Sequence, residues 1–520
     1  MALLTPSTTP PSTPPAERSL VSLAWGDPAG DHGRVCIEQG GRTWTRADVR
    51  REVSALVVDL HAAGVRPGQS VLALLDHDAR GVFLLAAASA IGLRVLVPYN
   101  LQAAAVPEWR NLVATARPDA VVDVRRDGNS GEQLRADGVP VVRLPDPGRP
   151  PAALLDLPTA PTGLFSLVLF TSGTTGAPKA ISVPERVVTA RVASVSTRLG
   201  FAPDARVFLS GLLNNTTGVF FAFGALLHGA TLVVPQGRDV ATWPQQVADL
   251  RATHIMLRPV ALRRFVDAAE RRPVDLASLR VVAYGAASMP RPLLEEARQL
   301  MPCRWVQGYG LSETYGPFCW LDEADHRDRV YRRYSYCVGR PDGTLDVTLL
   351  PVEGDPTSLE VAVRGDLVMA GYLDVATGRI AAPDGWMRTG DLGTWSPEGH
   401  LVLKGRISQS VLSSDGHRIY PEEVEAALGE VPGVDDVVLV PLAGEDGGER
   451  PVICVSGALG ARDADEIRAA LAAALRRTLS PEKWPELVFA TDAAFPRGGN
   501  DKVLRPQVAA RAAAAELIRL

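Results

Sequence analysis

The apolar run Leu167-Val168-Leu169-Phe170 leads straight into Thr171-Ser172-Gly173-Thr174-Thr175-Gly176-Ala177-Pro178-Lys179. The first four residues read as a short buried strand. In the stretch that follows, two glycines allow close approach of the backbone to an anion, four hydroxyls can donate to phosphate oxygens, and Lys179 adds positive charge. The loop is suited to wrapping a polyphosphate. Its spacing departs from the Walker pattern GxxxxGK[ST], so a nucleotide here is not held as in P-loop proteins. By composition alone, a cluster of Ser, Thr and Gly is equally an ordinary surface loop.

Outward from this stretch, helical and strand patterns alternate. Thr45 with Asp48 reads as an N-cap and its acidic partner, Val49, Val53, Leu56, Val57 and Leu60 recur at helical spacing, and Gly64 supplies a stop. Strands are predicted at 71–75 and 94–98 with an apolar helix over 82–91 between them, a βαβ rhythm that implies a parallel sheet. Further strands are expected at 120–122, 231–234, 254–257 and 280–283. Around 342–347 and 359–363 the strands become short with no long helix between them, which predicts a β-subdomain. Beyond 405 the rhythm restarts on a smaller scale, with helices over 421–428 and 465–477, strands at 437–440, 452–455 and 487–489, and a terminal helix over 509–520. The predicted fold is therefore α/β: a leader over 1–18 expected to be disordered, a large N-terminal domain over 19–404 built of α/β subdomains plus the β-subdomain, and a small, mobile α+β C-terminal domain over 405–520, with a hinge near 405–408.

The 520 residues exceed what one core usually serves, and 46% hydrophobic with 22% charged residues excludes a disordered chain. Fifty-four basic and fifty-nine acidic residues give a net charge of −5 without long blocks of either sign, so nucleic acid is not an expected partner. Five scattered cysteines with no CxxC pair argue against a disulfide framework and a zinc site and fit a reducing cytoplasm. No apolar stretch reaches the length of a membrane span.

Further motifs bear on chemistry. Gln307-Gly308-Tyr309-Gly310-Leu311-Ser312-Glu313-Thr314, Trp386-Met387-Arg388-Thr389-Gly390-Asp391, Lys404-Gly405-Arg406 and Pro496-Arg497-Gly498-Gly499-Asn500-Asp501-Lys502-Val503-Leu504-Arg505 follow the hydroxyl loop in that order. Together they resemble the ordered motifs of the adenylate-forming superfamily, which holds acyl- and aryl-CoA synthetases, adenylation domains of peptide synthetases and firefly luciferase. Gly285-Ala286-Ala287 stands where that family lines its adenine pocket, and Arg364-Gly365 with Gly371-Tyr372 matches another family element. The resemblance spans the chain from about Thr43 to Arg505.

It implies roles residue by residue. Thr171, Ser172, Gly173, Thr174, Thr175, Gly176 and Lys179 would hold the phosphates of ATP, with Thr171 close to the reacting groups. Tyr309 would stack on adenine beside Gly285, Ala286, Ala287, Gly308 and Gly310, Glu313 would hold Mg2+, and Thr314 would contact phosphate. Asp391 and Arg406 would bind the ribose, and Lys502 would be the catalytic lysine. Asn214, Asn215, Arg258, Tyr284 and Gly310 are the candidate lining of the substrate pocket. Asn214 and Asn215 replace an aromatic–His pair common in acyl-CoA synthetases, and a pair of amides there favours a small or polar substrate, because a buried unpaired amide is costly; the same two residues also suit a turn. Arg258 offers either a bidentate grip on an anion or a solvated side chain.

The implied reaction is attack of a small aromatic or polar carboxylate on ATP, giving acyl-AMP and pyrophosphate, then transfer to coenzyme A. The hinge departs from the family: Ile407-Ser408-Gln409-Ser410 lacks the acidic residue usual at the pivot, and the distance from Arg406 to Gly416-His417-Arg418 is about one residue longer than usual. Three alternatives therefore stay open. These are the superfamily's diazotase branch, which adenylates nitrite for an arylamine acceptor; an acyl-AMP ligase that loads a carrier protein; and a nucleotide-binding pseudoenzyme.

Overall fold

The apolar run before the hydroxyl-rich loop forms the strand Ser166–Thr171, whose alternate residues feed two different cores because successive side chains point to opposite faces. In the computed structural model, the described residues are 18–26, 33–98, 106–124, 134, 138–143, 154–158, 160–171, 179–334, 336–353, 355–412, 418–429, 431–443, 449–479, 481–497 and 503–520. The expected leader, apart from Arg18, lies outside them.

Ser166–Thr171 belongs to an eight-stranded sheet. It runs parallel to Arg94–Val97, which pairs in parallel with Ser70–Leu74, and that strand with Ala120–Asp123. On the other side it turns back on itself. Lys179–Pro184 pairs antiparallel with it, Thr171 standing opposite Lys179, and Gly371–Leu373 adds beyond. The second, nine-stranded sheet carries Val281–Gly285 parallel to Arg304–Leu311, which hairpins with Gly316–Leu321.

Helices fill the space between the sheets. Arg46–Ala62 starts with the expected Thr45–Asp48 capping box. Ala79–Ile91 is buried on every side and stops at Gly92, which takes the left-handed conformation at φ 81°. A helix apolar all round belongs inside the molecule. With Glu185–Leu199 and Thr216–Leu227 it joins residues of both sheets into the largest core.

The expected β-subdomain is a four-stranded antiparallel sheet of Asp346–Val352, Asp355–Arg364, Met387–Trp395 and Leu401–Arg406. Its first strand begins later than predicted. Asp342 Oδ1 accepts from the Thr344 amide at 2.9 Å and Gly343 has φ 81°, so the chain turns there before it extends.

After Arg406 the chain makes a single 3-10 turn, Ile407–Gln409, closed by the Ser410 hydroxyl on the Ile407 carbonyl at 2.8 Å. From residue 411 onward the chain builds its own core, around the four-stranded sheet of Asp436–Ala443, Glu449–Ser456, Leu487–Thr491 and Ile518–Arg519. Pro421–Leu428 is a helix opened by proline, as expected. The terminal helix is not where the alanines placed it. It spans Arg505–Ala513, with Pro506 in its first turn, and Ile518–Arg519 leaves the helix to pair with Leu487–Thr491, where Ile518 and Leu520 pack on the small core. Partial burial of two branched side chains and a new strand pairing outweigh alanine's helix propensity.

No helix among the described residues is long and apolar enough to cross a membrane, and all five cysteines are free.

Candidate active site

The hydroxyl-rich loop is the connection of a β-hairpin. Its ends, Thr171 and Lys179, are cross-strand partners; residues 172–178, including Ser172, Gly173, Thr174, Thr175 and Gly176, and the side chain of Thr171 lie outside what the structure describes. What the loop's base faces is described. The exposed Lys179 ammonium sits 5.1 Å from the centre of the Tyr372 ring, and the Tyr372 hydroxyl donates to Glu313 Oε1 at 3.0 Å. Burial, then the Glu313 carboxylate, pushes the Tyr372 phenol up to about 12, so it remains a donor. Three residues separated widely in sequence thus bring the base of the loop and Glu313 to one place.

Glu313 is presented by a tight turn between Arg304–Leu311 and Gly316–Leu321. Gly310 is required there, since a Cβ would stand 2.0 Å from the Gly316 carbonyl oxygen. The Tyr315 amide donates to the Ser312 carbonyl at 3.0 Å, and Glu313's own carbonyl accepts from the Met369 amide at 2.7 Å. Thr314 corrects the expectation of a phosphate contact. It is fully buried, accepting from the Leu311 amide at 3.0 Å and donating to the Gly316 carbonyl at 2.7 Å, so its hydroxyl shapes the turn. The hydroxyl-bearing residue beside Glu313 that is not fully buried is Ser312, to which no role is assigned above; its signal is its place directly before the acidic residue.

The second cluster joins the nine-stranded sheet, through Tyr309, to the four-stranded sheet, which carries Asp391 and Arg406. Asp391 is buried, and both its oxygens are engaged: Tyr309's hydroxyl donates to Oδ2 at 2.7 Å and Arg406 Nε to Oδ1 at 2.7 Å. Strand register causes the second contact, for Asp391 and Arg406 stand opposite each other in their ladder. Burial, then Asp391, raises the Tyr309 phenol far above its usual range. Burial opposes charge on Arg406, yet the adjacent carboxylate of Asp391 wins and raises its pKa. A carboxylate has about four lone-pair sites, so Asp391 keeps capacity for further donors such as a diol. Its strand is pinned by Glu360, which accepts from the Gly390 amide at 2.8 Å and from Arg388 at 2.7 Å.

Gly285, Ala286 and Ala287 stand at the carboxyl end of a parallel strand, with Gly285 opposite Gly308. A Cβ on Gly285 would lie 2.4 Å from the Gly308 carbonyl oxygen, so both strands approach closely here. Ala286 adopts φ 64°, and it and Ala287 are exposed. Carboxyl ends of parallel strands are where open α/β sheets take ligands.

The candidate substrate residues divide. Asn215 caps the helix Thr216–Leu227 by accepting from the Gly218 amide at 3.2 Å, and buried Asn214 donates to the Pro98 carbonyl at 3.2 Å. The turn reading holds for the first, and the second ties that turn to the first sheet. Arg258 is exposed at the start of the helix Pro259–Arg271. Tyr284 is a correction: its ring is 2% exposed among the core residues around Trp305, and its hydroxyl meets His326 Nε2 at 2.9 Å. On its strand it points to the face opposite that of Ala283, which packs in the largest core.

Lys502 lies outside the described residues, but both flanks of its loop are fixed. Arg497 pairs with Val503 in an isolated bridge and binds Asp436 at 2.5 Å, while Arg505 donates to the Leu439 carbonyl at 2.8 Å and pairs with Glu425 at 2.7 Å. Both flanks of the loop are therefore tied to the small sheet through Asp436 and Leu439.

The residues also fit a magnesium ion. Glu313 is a half-buried carboxylate with one oxygen already oriented by Tyr372, and among the described residues no cluster of three ligating side chains forms a cage. Magnesium characteristically takes one or two carboxylates and completes its shell with water and substrate phosphates.

Comparison with known proteins agrees with this geometry. A family model described as AMP-binding enzyme matches residues 26–373. The chain is 29% identical over 487 residues to a feruloyl-CoA synthase of Amycolatopsis sp, covering 92% of this chain and 96% of that protein. It is 30% identical over 467 residues to a sulfoacetate–CoA ligase of Cupriavidus necator, covering 85% and 88%. Among solved structures, the amide bond synthetase McbA from Marinactinospora thermotolerans superposes with a TM-score of 0.80 at 27% identity, over 95% of this chain and 99% of that one. With the hydroxyl hairpin, the Glu313 turn and the Asp391 cluster arranged as described, the chain belongs to the AMP-binding enzymes of the adenylate-forming superfamily.

Proposed function

We propose that the protein is an ATP- and Mg-dependent ligase that adenylates a small carboxylic acid, aromatic or polar, releases pyrophosphate and passes the acyl group to coenzyme A. The observation that carries this reading is the convergence of Lys179, Tyr372 and Glu313 at the base of the hydroxyl loop, with the Tyr309–Asp391–Arg406 cluster on the strands beside it. The relatives named above favour the acid and thiol, since one acts on an aromatic acid and another on a small polar one.

Two anions must meet for a carboxylate to attack the α-phosphorus, so charge has to be neutralised in a partly dry site. Magnesium supplies that neutralisation on the phosphates when held at Glu313. Asp391 takes the ribose hydroxyls, with Tyr309 and Arg406 fixing its carboxylate plane, and Gly285, Ala286 and Ala287 give the base an uncluttered strand end. The hydroxyl loop orients the leaving pyrophosphate, and alignment of this kind is worth about 7–11 kcal/mol of barrier. Lys502 brings its ammonium from the small unit to the carboxylate and α-phosphate. In this reading the chain divides near 405–408, residues 19–404 holding the nucleotide and acid and 405–520 acting as the lid.

A second reading keeps adenylation and changes the acceptor to an amine. It is favoured by the 3-10 turn that replaces an acidic pivot after Arg406, and by the 27% identity to an amide bond synthetase. Nitrite as the adenylated anion, with an arylamine as acceptor, belongs to the same class. The test is to supply ATP and magnesium with a panel of acids plus coenzyme A, the same acids plus amines, and nitrite plus arylamines, following AMP and the conjugate. Thioester formation supports the first reading. AMP formed only with amines supports the second, and no AMP in any arm contradicts both.

A further inference from the structure

Behind the Glu313 turn lies a guanidinium that the chemistry above does not use. Arg191, on the helix Glu185–Leu199, has no solvent exposure. Its Nε donates to the Thr314 carbonyl at 3.0 Å, Nη1 to the Pro317 carbonyl at 3.1 Å and to Thr344 Oγ1 at 2.7 Å, and Nη2 to the Leu367 carbonyl at 3.3 Å. Among the described residues, it has no direct carboxylate partner; Asp342 is reached only through the Thr344 hydroxyl, which donates to Asp342 Oδ1 at 2.6 Å. A buried cation satisfied by neutral acceptors is a costly way to fill a core, since an apolar side chain of similar volume is often as stable.

The carbonyls it gathers explain the choice. Thr314 follows Glu313 directly, Pro317 closes the same turn, and Leu367 lies two residues before Met369, whose amide binds the Glu313 carbonyl at 2.7 Å. Shortly beyond Met369 comes Tyr372, whose hydroxyl orients the Glu313 carboxylate. One planar fork thus reaches both chain segments that bracket Glu313. The turn it restrains is not relaxed on its own account, for Tyr315 sits at φ 44° with its ring fully buried against Phe220.

We propose that Arg191 is a positioning residue of the nucleotide site, whose buried fork holds the Glu313 turn against the 367–372 segment and so sets the aim of the Glu313 carboxylate. This rests on the reading of Glu313 as the holder of magnesium. Lysine cannot replace it, because a single ammonium does not span three diverging carbonyls.

The test uses the full chain with Arg191→Lys and Thr344→Val, each alone and combined with Glu313→Gln. The readouts are the magnesium dependence of equilibrium binding of a fluorescent, non-hydrolysable ATP analogue without acid, the kcat and KM of pyrophosphate release, and thermal unfolding. Arg191→Lys is expected to raise the half-saturating magnesium concentration about tenfold, as loss of outer-shell support commonly does. Thr344→Val is expected to raise it less, and it decides the matter if Arg191→Lys does not fold. In the Glu313→Gln background neither change should shift the magnesium dependence further. Folded single variants with wild-type magnesium dependence overturn the proposal, and so do equal shifts in both backgrounds, which mark a general structural loss. If Glu313→Gln alone leaves the magnesium dependence unchanged, the reading of the metal site is overturned and the clamp loses its object.

Discussion

At Asp391 two donors arrive from opposite sides, a phenol and a guanidinium, on a carboxylate that is almost wholly buried. Replacing it with alanine strands both donors and would remove the ribose contact proposed above. Asp391→Ala is expected to raise the KM for ATP about tenfold or more, equivalent to about 1.4 kcal/mol, measured by pyrophosphate release at saturating acid; an unchanged KM contradicts the ribose role. Tyr315 offers the opposite case. Its hydroxyl is buried without a hydrogen-bond partner among the described residues, and such a group costs about 1–3 kcal/mol relative to a satisfied one. Tyr315→Phe is therefore expected to be neutral or to stabilise by about 1 kcal/mol in urea titration. Destabilisation by that amount would show that the hydroxyl is satisfied after all. Ser312 and Thr314 illustrate where residue identity stops being informative: both carry hydroxyls beside Glu313, and only the turn geometry decides which one is fully buried.

The elements with strong local signals were legible in the chain. The capping box at Thr45 and Asp48, the proline at the start of Pro421–Leu428 and the strand before the hydroxyl loop all rest on residues within a few positions of one another. Signals that depend on distant partners were not. Tyr284 looked like a pocket residue until the pleat placed it in a core, and the alanine-rich end became partly a strand because Leu487–Thr491 offered an edge. Arg191 carries no motif, and its partners lie 123 to 176 positions away. Asn215 belongs between these extremes, a residue whose identity fits both a pocket and a helix cap. As a cap, Asn215→Ala is expected to cost about 1 kcal/mol of stability and to leave the ranking of accepted acids unchanged. A reordered acid panel with unaltered stability contradicts that assignment.

Across the whole molecule, burial sets a pH limit. The imidazoles of His77, His254 and His326 are each pulled down to about 4 by burial. In the unfolded chain a histidine titrates near about 6.5, so between there and about 4 the unfolded state takes up protons that the folded state refuses. Stability is then fully present above the unfolded value and falls as pH drops through that window. Urea midpoints at pH 7 and pH 5 check this, and a midpoint that holds or rises at pH 5 contradicts it. At the same scale, three sheets of nine, eight and four strands precede residue 407, and the residues from 411 onward build a separate, smaller core. That a large part is followed by a smaller one was legible in the restart of the strand and helix rhythm beyond 405, whereas the position of one part against the other during turnover is a property no single motif encodes. Adenylation is tested most directly by a single-turnover assay of acid-dependent pyrophosphate release with wild type and Lys502→Ala, beside ATP affinity measured without acid. The wild type is expected to release pyrophosphate in one fast phase that collapses in the variant while ATP affinity stays close to wild type, because the ammonium acts on charge that develops at the transition state. An undiminished fast phase in Lys502→Ala, or no pyrophosphate release with any acid in the wild type, would contradict this.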